Sequence, residues 1–241
     1  MNRSIDEAVA ALKAGEIIVF PTDTVYGIGC DPFSETALKK LYEVKQRPRE
    51  KSIPVLVSSI ERAHELGHIT PACEQLLKKH WPGALTVVVE QKAKFPAAIS
   101  LDETIALRMP NHPTSLALIE AAGGAIATTS ANISGEAPAT SFAKAKKIFD
   151  GKVAAMIDGG KTLGGIASTM VDCTHSTGST SSLQADSHPS SQPSPEATAS
   201  EAETTEGTAH PSSETTEGTA RQASDTIKVL REGPIQISQM N

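Results

Sequence analysis

Aromatic residues are scarce in this chain: one Trp, two Tyr and five Phe make up 3% of 241 residues, so a core has to be built from aliphatic side chains. No apolar run approaches the roughly 18 residues that a membrane-spanning helix needs. The opening segment, Met1 to Glu7, has none of the apolar stretch of a secretory signal. Both absences predict a cytoplasmic protein that does not use a membrane. Cysteine is limited to Cys30, Cys73 and Cys173, far apart and odd in number. That spacing excludes a disulfide framework or zinc ribbon and suits three reduced, buried thiols. A Walker phosphate loop, a strand-linked G-x-G-x-x-G and an H-E-x-x-H are all missing. His64 and His68, four apart, could share a helix face, but they have no third ligand, and no metal site is expected from them.

Acid is in excess overall, with 28 Asp+Glu against 22 Lys+Arg, yet the excess is local. Residues 1–173 hold 19 of each, whereas residues 174–241 hold 9 acidic and 3 basic residues. The part that reads as folded is therefore neutral, and the acidic balance does not exclude an anionic substrate or an RNA partner for it.

Helix and strand signals alternate through that part. Ser4 and Glu7 have capping-box spacing before Ile5, Ala8, Val9 and Leu12, and Gly15 ends the pattern. A second helix is predicted from Ser34, with Leu38, Leu41, Tyr42 and Lys45 along one side, and Pro48 stops it. Further helices are predicted over 70–80, 113–122 and 141–149. Strands are predicted over 17–20, 53–57, 85–90, 105–108, 125–129, 154–158, 169–173 and 227–231. Such mixing argues for an α/β or α+β sheet domain, without giving the strand order. From about residue 174 to 224 Ser, Thr, Glu, Ala and Pro dominate, and Leu183 is the one large aliphatic residue. This composition predicts a disordered insertion, cheap to carry because loop-closure entropy grows only logarithmically with length. It contains one literal repeat, residues 203–209 recurring as 214–220.

Two polar motifs some eighty residues apart each look built to hold an anion. Lys45, Arg47, Arg49 and Lys51 cluster around Pro48, and Ser130 and Asn132 flank Ala131 after an apolar run. Cations suit phosphate oxygens, Arg as a planar fork and Lys as a point charge. A helix C-terminus alone would also favour basic residues, though it needs only one. The Gly159-Gly160-Lys161 and Gly164-Gly165 stretch is either a plain turn or a loop that lets backbone approach a ligand. Arg108, ending a strand before Pro110, is either a carboxylate clamp or half of a surface ion pair.

Read together and in order, Pro-Thr-Asp-Thr-Val-Tyr-Gly (21–27), Lys-x-Arg-Pro (45–48), Trp-Pro-Gly-Ala-Leu-Thr (81–86), Leu-Arg-Met-Pro (107–110), Thr-Ser-Ala-Asn-Ile-Ser-Gly (129–135) and Ser-Thr-Met-Val-Asp (168–172) resemble the YrdC/Sua5 family of threonylcarbamoyl-AMP synthases. The resemblance implies an α/β fold: a single YrdC-like domain over 4–235, of the short type, interrupted by the insertion at about 174–224. Its twisted mixed sheet would carry flanking helices and a large concave cavity. The implied activity is a nucleotidyltransferase reaction joining L-threonine, bicarbonate and ATP into threonylcarbamoyl-AMP and pyrophosphate for the t6A modification of tRNA, with Mg²⁺ accompanying ATP. By the same resemblance Thr24, Arg108, Thr128 and Ser168 would bind threonine. Arg47, Lys51, Thr104, Ser130, Asn132 and Arg231 would bind ATP, with Lys45 and Arg47 as the catalytic pair. A separate transferase complex would accept the product. The alternative is a module that binds double-stranded RNA or tRNA without turning over ATP. A carbamoyl-transfer domain like that of hydrogenase maturation proteins is a third reading, which the lack of zinc-finger motifs disfavours.

Overall fold

Helices begin where short polar side chains can accept the first free N–H groups. In the computed structural model Ser34 Oγ accepts from Ala37 N at 3.2 Å, Ser59 Oγ from Arg62 N at 3.1 Å, Thr70 Oγ1 from Cys73 N at 3.2 Å and Ser141 Oγ from Lys144 N at 3.3 Å. The structure describes residues 3–48, 50–100, 102–162, 165–174 and 227–237, all within one compact unit of the chain. The reading of 174–224 as disordered falls, Thr174 aside, outside these residues.

The described helices are α1 (Arg3–Lys13), α2 (Glu35–Lys45), α3 (Ile60–Leu66), α4 (Pro71–His80), α5 (Pro113–Ala121) and α6 (Phe142–Phe149). The strands are β1 (Ile18–Phe20), β2 (Gly27–Cys30), β3 (Val55–Val57), β4 (Leu85–Glu90), β5 (Thr104–Arg108), β6 (Ala125–Ser130), β7 (Ala155–Met156), β8 (Thr169–Asp172) and β9 (Lys228–Arg231). They form one mixed sheet in the order β7-β1-β2-β6-β3-β5-β4-β8-β9. β1 with β7, β3 with β5 and β4 with β8 are parallel, and the remaining neighbours are antiparallel.

Strand alternation sorts the side chains into two layers. Val55, Val57, Leu85, Val87, Val89, Ile105, Leu107 and Val171 join Leu38, Leu41, Leu66, Leu77 and Phe149 in the larger core, which draws on α2, α3, α4 and α6. On the opposite face Ile18, Phe20 and Ile126 pack with Ala8 and Leu12 of α1 and Leu118 and Ile119 of α5. That second layer covers only part of the sheet. The alternate residues of β5, β4 and β8 (Thr104, Ala106 and Arg108; Thr86 and Val88; Met170) line an open cavity instead.

Two elements escape the sequence reading, β2 and α3. β2 reads Gly-Ile-Gly-Cys, with a single β-branched residue, because its neighbour leaves no room for side chains: a Cβ on Gly29 would lie 2.5 Å from Ala127 O. α3 is only seven residues long, and Gly67 caps it. The expected shared helix face of His64 and His68 is therefore not formed. His68 lies beyond the helix, with its backbone N donating to Glu90 O at 2.8 Å. No described helix is long and apolar enough to cross a membrane.

Candidate active site

The cavity has a volume of about 350 Å³ and is walled by the β3-β5-β4-β8 half of the sheet, the 22–27 loop, the end of β6, and Arg47 and Arg231. Among the described residues, three arginines and a series of hydroxyls line it, with no carboxylate and no lysine. Positive charge therefore faces donor-rich walls, the chemistry that suits phosphate and carboxylate oxygens.

The four residues expected at threonine all lie on this wall. Arg108 closes β5 and is 8% exposed. Its Nε donates to Gly83 O at 3.1 Å, Nη1 to Thr24 Oγ1 at 3.1 Å and Nη2 to Asp23 Oδ1 at 2.6 Å. Of the two readings of Arg108, the ion pair is present, and it lies largely buried beside the cavity rather than on the surface. Thr24 is held by the turn before it, where Thr22 Oγ1 accepts from Thr24 N at 3.2 Å and donates to Val25 O at 2.6 Å. Thr128 Oγ1 donates to Ile126 O at 3.1 Å, and its N donates to Pro54 O at 2.8 Å. Ser168 Oγ shares a 2.7 Å hydrogen bond with Thr86 Oγ1.

Of the residues expected at ATP, Arg47, Thr104, Ser130 and Arg231 line the cavity, while Lys51 and Asn132 do not. Arg47 follows the α2 C-terminus, which closes through Gln46 in a left-handed conformation (φ 52°). The Arg47 Nε and Nη2 donate to Lys51 O at 3.1 Å and Ser52 O at 2.8 Å, which ties the guanidinium to the loop. Lys51 itself is exposed, and Arg49 lies outside the described residues. Thr104 Oγ1 donates to Asp102 Oδ1 at 2.7 Å. Arg231 Nε and Nη2 donate to Ser168 O at 3.0 and 2.8 Å, and Nη2 also reaches Ser168 Oγ at 3.2 Å. Burial, and then the charge of Arg108, lowers the pKa of Arg231.

Lys45 does not reach the cavity wall. It points back from the last turn of α2, 1% exposed, and its Nζ donates to Ser130 O at 2.5 Å and Asn132 Oδ1 at 3.1 Å. Asn132 Oδ1 also accepts from Ser130 Oγ at 2.6 Å, while its Nδ2 donates to Ile133 O and Glu136 O at 2.8 and 2.9 Å. The Lys-x-Arg and Ser-x-Asn motifs are therefore joined in space. Lys45 and Asn132 form the buried support, and Arg47 and Ser130 form the cavity face. Burial, then the charge of Arg47, brings the Lys45 ammonium from 10.5 down to about 8.

The glycine stretch after β7 is a packing turn at its first residue. A Cβ on Gly159 would sit 2.6 Å from Pro21 Cγ. Tyr26 Oη accepts from Gly159 N at 2.9 Å and donates to Gly160 O at 3.0 Å. Gly165 N donates to Thr24 O at 2.7 Å, and Gly164 lies outside the described residues. Sequence reasoning missed Asp23 and Thr86. Asp23 stands inside the Thr-Asp-Thr turn, where an acidic residue reads as a turn former; Thr86 could have been found from strand period, two residues from Val88 on the same face.

Comparison with known proteins bears on the family and the fold. The Sua5/YciO/YrdC family model, described as telomere recombination, matches residues 10–182. The threonylcarbamoyl-AMP synthase of Bacillus subtilis is 40% identical over 172 residues, covering 70% of this chain and 50% of that protein. The threonylcarbamoyl-AMP synthase of Xanthomonas euvesicatoria is 37% identical over 159 residues, covering 64% of this chain and 83% of the relative. A crystal structure of Pyrococcus abyssi Sua5 complexed with L-threonine superposes with a TM-score of 0.67 at 38% identity, over 70% of this chain and 50% of that one. The chain thus spans about half the length of the Bacillus and Pyrococcus proteins it matches. With the motifs in order, the sheet shared and the family model matched over most of its length, the chain belongs to the Sua5/YciO/YrdC family.

Proposed function

We propose that this protein is an L-threonylcarbamoyladenylate synthase, a nucleotidyltransferase that condenses L-threonine, bicarbonate and ATP into threonylcarbamoyl-AMP, pyrophosphate and water, for t6A modification of tRNA. The observation that carries the reading is the cavity wall, whose described residues include three arginines and many hydroxyls and no carboxylate. Relatives bearing the synthase name, and a related Sua5 bound to L-threonine, support it.

In this reading the amino-acid carboxylate pairs with Arg108, and Thr24, Thr128 and Ser168 surround the rest of the threonine. The amine takes up bicarbonate-derived carbon as a carbamate. A carbamate oxygen then attacks the α-phosphorus, the bond from that phosphorus to the oxygen bridging the β-phosphate breaks, and pyrophosphate leaves. A carbamate is short-lived and weakly nucleophilic, so holding it in line with the α-phosphate supplies most of the advantage. Arg47, Arg231 and Ser130 meet the charge that develops on the phosphates, with Thr104 beside them, and the exposed Lys51 would have to swing in to reach ATP. Lys45 and Asn132 act through Ser130. Mg²⁺ belongs to the substrate as MgATP. The described residues put no carboxylate on the wall to hold the ion, and they contain no cluster of three or more His, Cys, Asp or Glu fit for a metal. The domain is taken to run from 4 to 235 around the insertion, and a separate transferase would receive the unstable product.

The test is pyrophosphate release from ATP by the full chain, with L-threonine and bicarbonate each supplied or omitted. Release that requires both is expected. No release under any combination from folded protein would overturn the reading, and salt-sensitive RNA binding in that case would favour the nucleic-acid alternative.

A further inference from the structure

Arg108 is bonded to three different residues, and one of them is a carboxylate that is not among the described residues lining the cavity. Asp23 Oδ1 accepts from Arg108 Nη2 at 2.6 Å, and the two side chains are 15% and 9% exposed. The backbone around Asp23 is itself held from several directions. Ser115 Oγ donates to Pro21 O, Thr22 Oγ1 receives Thr24 N and Val25 N, Gly165 N donates to Thr24 O at 2.7 Å, and Tyr26 N donates to Ala139 O at 2.8 Å. Asp23 is therefore the anchored member of the pair and Arg108, at the end of a long flexible side chain, the member that is steered.

We propose that Asp23 is a positioning residue: it holds the Arg108 guanidinium in the one pose that presents its remaining N–H donors to the carboxylate of an amino-acid substrate. The proposal rests on the synthase reading and deepens it.

Charge and donor count both support the assignment. An arginine has five N–H donors, and the protein engages three of them here, one each by Gly83, Thr24 and Asp23. Two are left for a ligand, the number a bidentate carboxylate takes. Arg108 also faces the positive Arg231, whose guanidinium is destabilised by it. No carboxylate among the described cavity-lining residues offsets that repulsion, and Asp23, beside the wall, is the carboxylate that the Arg108 guanidinium meets. Without Asp23, the pull on Nη2 disappears while the push from Arg231 remains. Arg108 would then rotate away from the ligand pose, still tethered at Nε by Gly83. The Asp23 charge is felt locally as well: it opposes the burial that lowers the pKa of His112.

The experiment measures L-threonine binding by calorimetry and the KM values for L-threonine and ATP in the full-length wild type, Asp23→Ala, the isosteric Asp23→Asn and Asp23→Glu. Losing a charge-assisted hydrogen bond that orients the ligand's partner predicts about tenfold or more weaker L-threonine binding in Asp23→Ala, with the KM for ATP changed less than about twofold. Asp23→Glu should recover part of the loss. In an Arg108→Ala background the Asp23→Ala change should add nothing, because the two act as one unit. Asp23→Asn keeps the shape and supplies the same test if the alanine variant does not fold. Unchanged L-threonine binding in a folded variant overturns the proposal, and so does equal weakening of both substrates with a lowered Tm, the mark of a merely structural role. If Arg108→Ala loses L-threonine and Asp23→Ala does not, this inference alone fails. If the wild type binds no L-threonine, it falls together with the synthase reading.

Discussion

Replacing Lys45 by methionine separates what this lysine does for stability from what it does for the site. The side chain is 1% exposed, and its ammonium meets two oxygens, Ser130 O and Asn132 Oδ1. Burial brings its pKa from 10.5 to about 8. At about 1.4 kcal/mol per pH unit, that difference amounts to about 3 kcal/mol by which the fold disfavours the charged form. Below pH 8 the lysine is protonated in both the folded and unfolded states, and the fold bears the full penalty. Between pH 8 and 10.5 the unfolded chain keeps the proton and the folded one releases it, so the unfolded state binds more protons and stability rises with pH. Above 10.5 the penalty is gone. Methionine has no proton to lose, so the wild-type stability minus that of Lys45→Met should climb by about 3 kcal/mol across this window, with every other titrating group cancelling.

At pH 7 the same variant should be close to wild type in stability. Methionine relieves the charge penalty, but it removes the two charge-assisted hydrogen bonds to Ser130 O and Asn132 Oδ1, a loss of about 1–3 kcal/mol, although Ser130 O keeps Asn132 N at 3.0 Å and Asn132 Oδ1 keeps Ser130 Oγ at 2.6 Å. Pyrophosphate release should nevertheless fall steeply, because Ser130 and Asn132 lose the cation that ties them to α2. Urea unfolding at half-unit pH steps, beside the pyrophosphate assay at pH 7, measures both quantities. A difference curve that is flat or falls between pH 8 and 10.5 would refute the account of Lys45 as a buried, strained support. Full activity in Lys45→Met would refute its action through Ser130.

Gly29→Ala should destabilise the fold by about 1–3 kcal/mol, read from urea midpoints, because its Cβ would meet the Ala127 carbonyl, which is backbone and cannot swing aside. None of the three thiols should react with Ellman's reagent in the native protein, and all three should react after denaturation: Cys30, Cys73 and Cys173 are buried and not in disulfides, and burial pushes the Cys30 thiol up to about 12. Arg47→Ala should raise the KM for ATP by about tenfold or more with little change in Tm, since the guanidinium lines the cavity and its protein partners are two loop carbonyls. Replacing residues 175–225 with a short Gly-containing turn should keep pyrophosphate release within about twofold, because Asp172 and Lys228 are paired neighbours on β8 and β9; loss of release in a folded protein would show that the insertion takes part.

The sequence was most legible where a residue type is expensive to misplace. Arg47 and Arg108 stood out as cations beside a turn and a strand end, Arg231 came only from the family resemblance, and all three line one cavity. Legibility failed where the partner decides the role. The spacing that puts Lys45 on the side of α2 carrying Leu38, Leu41 and Tyr42 already implied burial, and all four are buried. A charge among them, however, reads as a ligand contact until the acceptors waiting beneath it, Ser130 O and Asn132 Oδ1, are known. Asp23 was hidden by the same logic, since nothing local says that a turn aspartate faces an arginine eighty-five residues away. β2 was hidden for a steric reason: propensity looks for side chains that fit a strand, and here one face of the strand, at Gly27 and Gly29, is bare because β6 packs against it, while Ile28 and Cys30 fill the core on the other.

The site also explains why the chain must return after its long excursion. β4 and β8 are parallel and β9 closes the edge beyond them, so the cavity wall would end at Met170 and Ser168 if the chain stopped at β8. β9 adds Arg231 in register with Met170, and the guanidinium turns back over Ser168, itself bonded to Thr86 on β4. Thr169 Oγ1 accepts from Ile235 N at 3.0 Å and donates to Ile235 O at 2.9 Å, which fastens the segment after β9 to the first residue of β8. A strand exposed along its whole length, as β9 is, contributes little hydrophobic stabilisation. Its contribution is instead a third guanidinium and a fixed Ser168, so it is held by hydrogen bonds that run through the site itself. Whatever weakens the return of β9 should therefore be felt first in ligand binding, before the rest of the sheet loosens.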